Sequence, residues 1–213
     1  MSKNTTVYES EEFRQMLQEA SALQEPPSKD GSLRQAWFIR RAGELVRDAS
    51  KELGRSLTAC VVTFGCQMNA RDSEKLIGIL VQSGFAPVET EEADFVIFNT
   101  CTVRDNADQR TFGRLRRISH LKKKNPLMKV AICGCMMQEK GNVDKIRKSY
   151  TFVDLIFGTH NIFRFAEHQY DFAGLDNNMA DLVTDSYVRA LHYVTDNYSF
   201  AIGITDKATV GDA

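Results

Sequence analysis

Four short apolar runs rich in β-branched residues, with helical stretches between the successive runs of the series, constrain this chain more than any other feature. They are Leu57 to Phe64, Ala93 to Phe98, Lys129 to Cys133 and Phe152 to Gly158. Runs this short and this uniformly apolar read as strands buried on both faces. Between them, Leu76, Ile77, Leu80 and Val81 recur at helical spacing, as do Phe112, Leu115, Ile118 and Leu121, and Asp144 to Ser149 belongs to another helix. Alternation of strand and helix implies right-handed crossovers and a mainly parallel sheet covered on both faces. The expected fold class is α/β, doubly wound.

The layering expected is Rossmann-like or flavodoxin-like, and strand order does not follow from the sequence. A further short strand is expected around Phe85 to Val88. Asn69 is placed to cap the first intervening helix, with Asp72 three positions on, and Gly84 to end it with a positive backbone angle. The helix beginning near Asp105 stops by Asn125-Pro126, because proline restricts its predecessor and supplies no amide hydrogen. Ahead of the strands, Phe13, Met16, Leu17 and Ala20 form one helical stripe and Ala36, Ile39, Ala42, Leu45 and Val46 a second, separated by a break from Glu25-Pro26-Pro27 to Gly31. The expected organisation is a helical N-terminal extension over residues 1–56, an α/β domain over 57–169 and a divergent or truncated tail over 170–213.

Lys and Arg number 27 against 28 Asp and Glu, so net charge gives no general pull toward nucleic acid, and any RNA contact has to be local. Arg110, Arg114, Arg116, Arg117, Lys122, Lys123 and Lys124 supply one such local concentration of charge, which reads as solvated helix surface or as an auxiliary phosphate contact, with no aromatic residues interleaved as a base-stacking platform. No basic segment precedes an apolar run at the start, and no stretch is long enough to cross a bilayer, so the expected setting is cytoplasmic, without a membrane partner. Thiols in that setting tend to stay reduced. The turn after the first strand lacks the glycine fingerprint of a dinucleotide site.

Five cysteines remain to be explained: Cys60, Cys66, Cys101, Cys133 and Cys135. Cys60 lies mid-strand and reads as a small hydrophobe. Cys66, Cys101 and Cys135 each follow a strand, which in a parallel sheet sets all three at the carboxyl edge, the usual ligand position of open α/β folds. Three converging thiolates suit an iron-sulfur cluster with one open iron better than structural zinc, which asks for four ligands. Gly65 and Gly134, immediately before Cys66 and Cys135, fit either a close approach to a bulky ligand or ordinary strand-to-helix turns. Cys133, separated from Cys135 by Gly134 alone, reads as core or as a neighbour of the ligand set, with a spare ligand or a redox partner of Cys135 as the alternatives.

Thr63-Phe64-Gly65-Cys66-Gln67-Met68-Asn69 with Asp72-Ser73-Glu74, Ala93-Asp94 with Asn99-Thr100-Cys101-Thr102-Val103-Arg104 and Asn106-Ala107, and Gly134-Cys135-Met136 with Val153-Asp154 and Phe157-Gly158-Thr159-His160-Asn161 form three ordered blocks. Over roughly Leu57 to Glu167 they resemble the N-terminal domain of the tRNA methylthiotransferase family, most closely the members that methylthiolate N6-isopentenyladenosine at position 37 of tRNA. The resemblance implies that Cys66, Cys101 and Cys135 hold an auxiliary 4Fe-4S cluster linked to sulfur supply, with Asn69, Asn99 and Cys133 as supporting residues. It implies tRNA as a partner of the complete enzyme, weak or indirect for this chain, and a sulfur donor; the chain itself is expected to be a monomer. Complete members also carry a radical S-adenosylmethionine domain with a Cys-x-x-x-Cys-x-x-Cys motif and a small RNA-binding domain. No cysteine follows Cys135, so the second cluster and S-adenosylmethionine have no identifiable site here, and the full reaction is not expected of this chain alone. The alternatives are a noncatalytic iron-sulfur carrier or interaction module, or a metal-free structural α/β domain.

Overall fold

The computed structural model describes residues 10–28, 31–102, 107–138, 140–167 and 169, and the expected tail over 170–213 lies outside them. The described residues divide into two compact units, one of residues up to 57, 74–87 and from 163 on, the other of 58–73 and 88–162.

In the first unit, helix α1 (Glu11–Ser21) begins at Ser10, whose hydroxyl accepts the Phe13 amide at 3.2 Å, and Glu11 and Glu12 complement the positive helix start. Helix α2 (Ser32–Leu53) ends at Gly54, whose φ of 66° lets its amide turn back to the Lys51 carbonyl. Phe13 and Ala20 of α1 are buried, as are Ala36, Trp37, Phe38, Ile39, Ala42 and Val46 of α2. The buried stripe of α2 is thus wider than its aliphatic spacing indicated, because Trp37 and Phe38 lie inside it. Trp37 Nε1 also donates to the Leu23 carbonyl at 3.1 Å, fixing the link between the two helices. Arg34 bonds Glu167 at 2.6 Å, and Arg164 reaches the other oxygen of the same carboxylate at 3.0 Å.

The sheet comprises β1 (Thr58–Thr63), β2 (Ala86–Pro87), β3 (Phe95–Thr100), β4 (Lys129–Gly134) and β5 (Leu155–Phe157) in the order β2-β1-β3-β4-β5. Pairings β1 to β3, β3 to β4 and β4 to β5 are all parallel. This is the flavodoxin-like order of a doubly wound sheet, with its switch point between β1 and β3. The connections are α3 (Gln67–Gln82), α4 (Ala107–Lys124) and α5 (Lys140–Ser149), with 3-10 turns at Cys135–Gln138 and Thr159–Arg164.

Every residue of β3 is buried, and its core packs with Leu115 and Ile118 of α4, Val130 and Ile132 of β4, and Val143 and Ile146 of α5. Two carboxylates hold the amino edge of this sheet. Asp94 accepts the Thr58 amide at 2.9 Å while its own carbonyl takes the Lys129 amide at 2.7 Å, tying three strand starts together. Asp154 accepts the Val130 amide at 2.7 Å and pairs with Lys122.

Candidate functional site

The carboxyl ends of β1, β3 and β4 meet through a polar network. Asn69 and Asn99 stand at its centre, 3 % and 0 % exposed. Asn69 Nδ2 donates to Asn99 Oδ1 at 3.0 Å and to the Thr100 carbonyl at 2.8 Å, and Asn99 Nδ2 donates to the Asn69 carbonyl at 2.8 Å and to Ser73 Oγ at 3.0 Å. Thr63 Oγ1 extends the chain to Ser73 at 2.7 Å, and Thr100 Oγ1 donates to the Cys133 carbonyl at 2.6 Å. Helix α3 starts at Gln67, so Asn69 sits inside its first turn and reaches across to β3 instead of capping. The Cys66 carbonyl takes the first intrahelical bond, from Ala70 at 3.2 Å, and occupies the cap position. Ser73, Thr63 and Thr100 went unnoticed in the sequence as network members. All three stand inside the family-like blocks, and Ser73 and Thr100 are also polar at buried positions, whereas Thr63 lies at the exposed end of β1.

Cys66 is half-buried and its thiol donates to Asn69 Oδ1 at 3.3 Å. Cys135, also half-buried, accepts the Thr102 amide at 3.2 Å and lies 3.6 Å from the Thr100 carbonyl. Cys101 is wholly buried. Cys60 lies in the core, where burial, and after it Glu91, pushes its thiol pKa up. Cys133 is fully buried, and burial together with Asp72 raises its thiol well above the ordinary value, so it stays protonated.

The two glycines test the fit of a cluster. Gly65 has φ 146°, and a Cβ there would stand 2.5 Å from Cys101 Cβ. Gly134 has φ 103°, and a Cβ there would collide with the Thr100 carbonyl oxygen. The space each glycine opens is therefore occupied by β3 and its following residue. Among the described residues, no group of three or more Cys, His, Asp or Glu side chains is placed to hold a metal ion. This corrects the expectation of an auxiliary 4Fe-4S cluster on Cys66, Cys101 and Cys135, and with it the iron-sulfur, metal-binding and iron-carrier readings. The three loops do share one sheet edge, but Cys101 is wholly buried, and the Cys66 and Cys135 sulfurs are engaged by the protein's own amide and carbonyl groups.

The basic run also resolves into parts. Arg114 and, at 3.9 Å, Arg117 pair with the buried Glu91, and Lys122 pairs with Asp154, while Arg110, Arg116, Lys123 and Lys124 are exposed. Among the described residues no helix is long and apolar enough to cross a membrane.

An open, doubly wound α/β sheet with thiol-bearing loops at its carboxyl edge is a domain of the flavodoxin-like class. The family described as "Uncharacterized protein family UPF0004" matches residues 58–158. The tRNA-2-methylthio-N(6)-dimethylallyladenosine synthase of Lachnoclostridium phytofermentans is 62% identical over 122 residues, 57% of this chain and 27% of that protein. The protein of the same name from Clostridium perfringens is 54% identical over 110 residues, 51% of this chain and 25% of its own length. That of Acetivibrio thermocellus is 42% identical over 156 residues, 73% of this chain and 32% of its own. The chain is homologous to the tRNA-2-methylthio-N6-dimethylallyladenosine synthase family, and it spans only about a quarter to a third of the length of these relatives.

Proposed function

We propose that this chain is a metal-free α/β interaction module of methylthiotransferase type, that its partner is tRNA, and that it works in the cytoplasm. The module is residues 57–169, with residues 1–56 as a helical extension. The observation that carries this reading is the closure of the thiol edge by protein: Cys66, Cys135 and the Asn69–Asn99 pair spend their polar groups on one another and on the ends of β3 and β4. On this reading the edge is a structural latch that holds three loops in register. The tRNA partner is drawn from the names of the relatives and from the exposed cations of α4, which suit phosphate contact of a salt-sensitive kind.

Two measurements on the full chain test this. Iron and acid-labile sulfide are determined after anaerobic reconstitution, for the wild type and for the Cys66→Ala/Cys101→Ala/Cys135→Ala variant, with thermal midpoints for both. The expected result is no iron lost on substitution. Stoichiometric iron in the wild type that disappears in the variant would sink the metal-free reading. Fluorescence anisotropy with labelled tRNA then reports the partner, with affinity expected to fall linearly in log salt; no binding at low salt removes tRNA from the proposal.

A further inference from the structure

The opposite edge of the sheet carries a concavity. Helix α4 leaves the carboxyl edge after β3 and delivers its last turn to the amino edge, next to the turn that joins α5 to β5. Between them lies a groove of about 650 Å³, lined among others by Arg116, Ser119, Lys123, Ser149, Tyr150 and Phe152. Its lining contains no acidic side chain among the described residues.

The aromatic wall is held before any ligand arrives. The Tyr150 ring stacks on Phe112 at 5.6 Å with 17° between planes, and Phe152 meets Tyr150 edge-on at 6.0 Å. Lys145 sits 4.0 Å over the outer part of the same stack, on the Phe112 ring. The backbone is fixed as well: the Tyr150 amide bonds Ile146 at 2.8 Å, and Lys122 donates to the Phe152 carbonyl at 2.9 Å while it pairs with Asp154. Lys122 thereby braces the groove, and Arg116 and Lys123, both exposed, are left at its rim.

We infer that this groove binds a single-stranded segment of RNA, with a base against the Tyr150–Phe152 wall and the flanking phosphates at Arg116 and Lys123. The inference rests on the tRNA reading above and gives it a place, at the sheet edge remote from the thiols. Stacking surface beside cations, with no acidic side chain in the lining and the adjacent Asp154 neutralised by Lys122, is the combination that single-stranded nucleic acid needs. An acidic peptide would use the cations and leave the aromatic wall idle, which separates the two occupants.

The test uses the full chain and a fluorescein-labelled oligoadenylate, titrated by anisotropy at several salt concentrations, with unlabelled tRNA and polyglutamate as competitors. Arg116→Glu/Lys123→Glu lies on the surface and should leave the thermal midpoint unchanged, weaken binding by tenfold or more, and lower the salt slope by roughly one to two. Tyr150→Leu keeps an apolar side chain and removes the ring; it should cost roughly tenfold in affinity with the salt slope preserved. Wild-type binding that both variants retain would overturn the groove and leave the tRNA reading intact. Failure of wild type to bind either RNA at low salt overturns both. Displacement by polyglutamate as effective as by tRNA, together with full binding by Tyr150→Leu, overturns the RNA assignment in favour of an acidic peptide.

Discussion

Asn99 uses both ends of its amide without access to water: Oδ1 receives Asn69, and Nδ2 donates to the Asn69 carbonyl and to Ser73. Removing that amide loses three buried hydrogen bonds, one to the Asn69 carbonyl, one to Ser73 Oγ and one from Asn69 Nδ2, each worth about 1 kcal/mol. Asn99→Ala is therefore expected to destabilise the sheet-bearing unit by about 3 kcal/mol, read as a lower urea midpoint at unchanged slope. Asn99→Asp keeps the shape but sets a carboxylate against the Asn69 carbonyl, and it should be no better tolerated. A midpoint within experimental error of wild type for both variants would remove the network from the account. Both asparagines were visible in the sequence as partners of the cysteine loops. Their bond to each other, across 30 positions, was not, because it depends on the register of β1 against β3 and no local pattern encodes that.

At the scale of elements, the sequence marked the positions of all five strands and misjudged some of their limits. The second strong run was expected at 93–98 and the strand lies at 95–100, because Asn99 and Thr100 are polar yet buried once partners from neighbouring elements satisfy them. The last run was expected at 152–158 and only 155–157 is strand, since Asp154 spends its carboxylate on the Val130 amide and on Lys122 just ahead of it. A similar charged clamp joins α2 to the segment after Arg164. Burial alone would push the Glu167 carboxyl up, but hydrogen bonds from Arg34 and Arg164, aided by their charges, outweigh it and hold its pKa below the ordinary value of 4.5. A carboxylate depressed in this way favours the folded state fully above its unfolded pKa. That contribution fades as pH falls below about 4.5 toward the folded value. Glu167→Gln should thus lower stability at neutral pH by about 2 kcal/mol and flatten the acid limb of the stability-against-pH curve. Parallel acid limbs for the two proteins would show that the triad contributes no pH dependence.

For the molecule as a whole, the alternation of strands and helices made the doubly wound class legible, whereas the chemistry of its carboxyl edge was legible only in part. Spacing placed three cysteines at the ends of three parallel strands, and the fold puts them there. Whether three thiols at one edge face one another depends on the direction in which each side chain leaves its turn, which strand spacing does not encode; at Gly65 and Gly134 the chain packs so closely on Cys101 and Thr100 that a Cβ would clash. The outcome is a sorting of the five thiols by depth: Cys60, Cys101 and Cys133 are buried, while Cys66 and Cys135 are partly open to solvent. Modification of a buried thiol requires the sheet to open, so its rate follows the free energy of that opening, whereas a half-exposed thiol reacts from the native state. With a disulfide reagent such as dithionitrobenzoate in native buffer, Cys66 and Cys135 should react in a fast phase. The other three should react in a slow phase that accelerates with urea in step with global unfolding. Cys66→Ser and Cys135→Ser should each remove one equivalent from the fast phase and leave the slow phase unaltered. A third fast equivalent that disappears in Cys101→Ser would mean that Cys101 faces solvent beside the other two, and the arrangement in which β3 closes the edge would have to be abandoned.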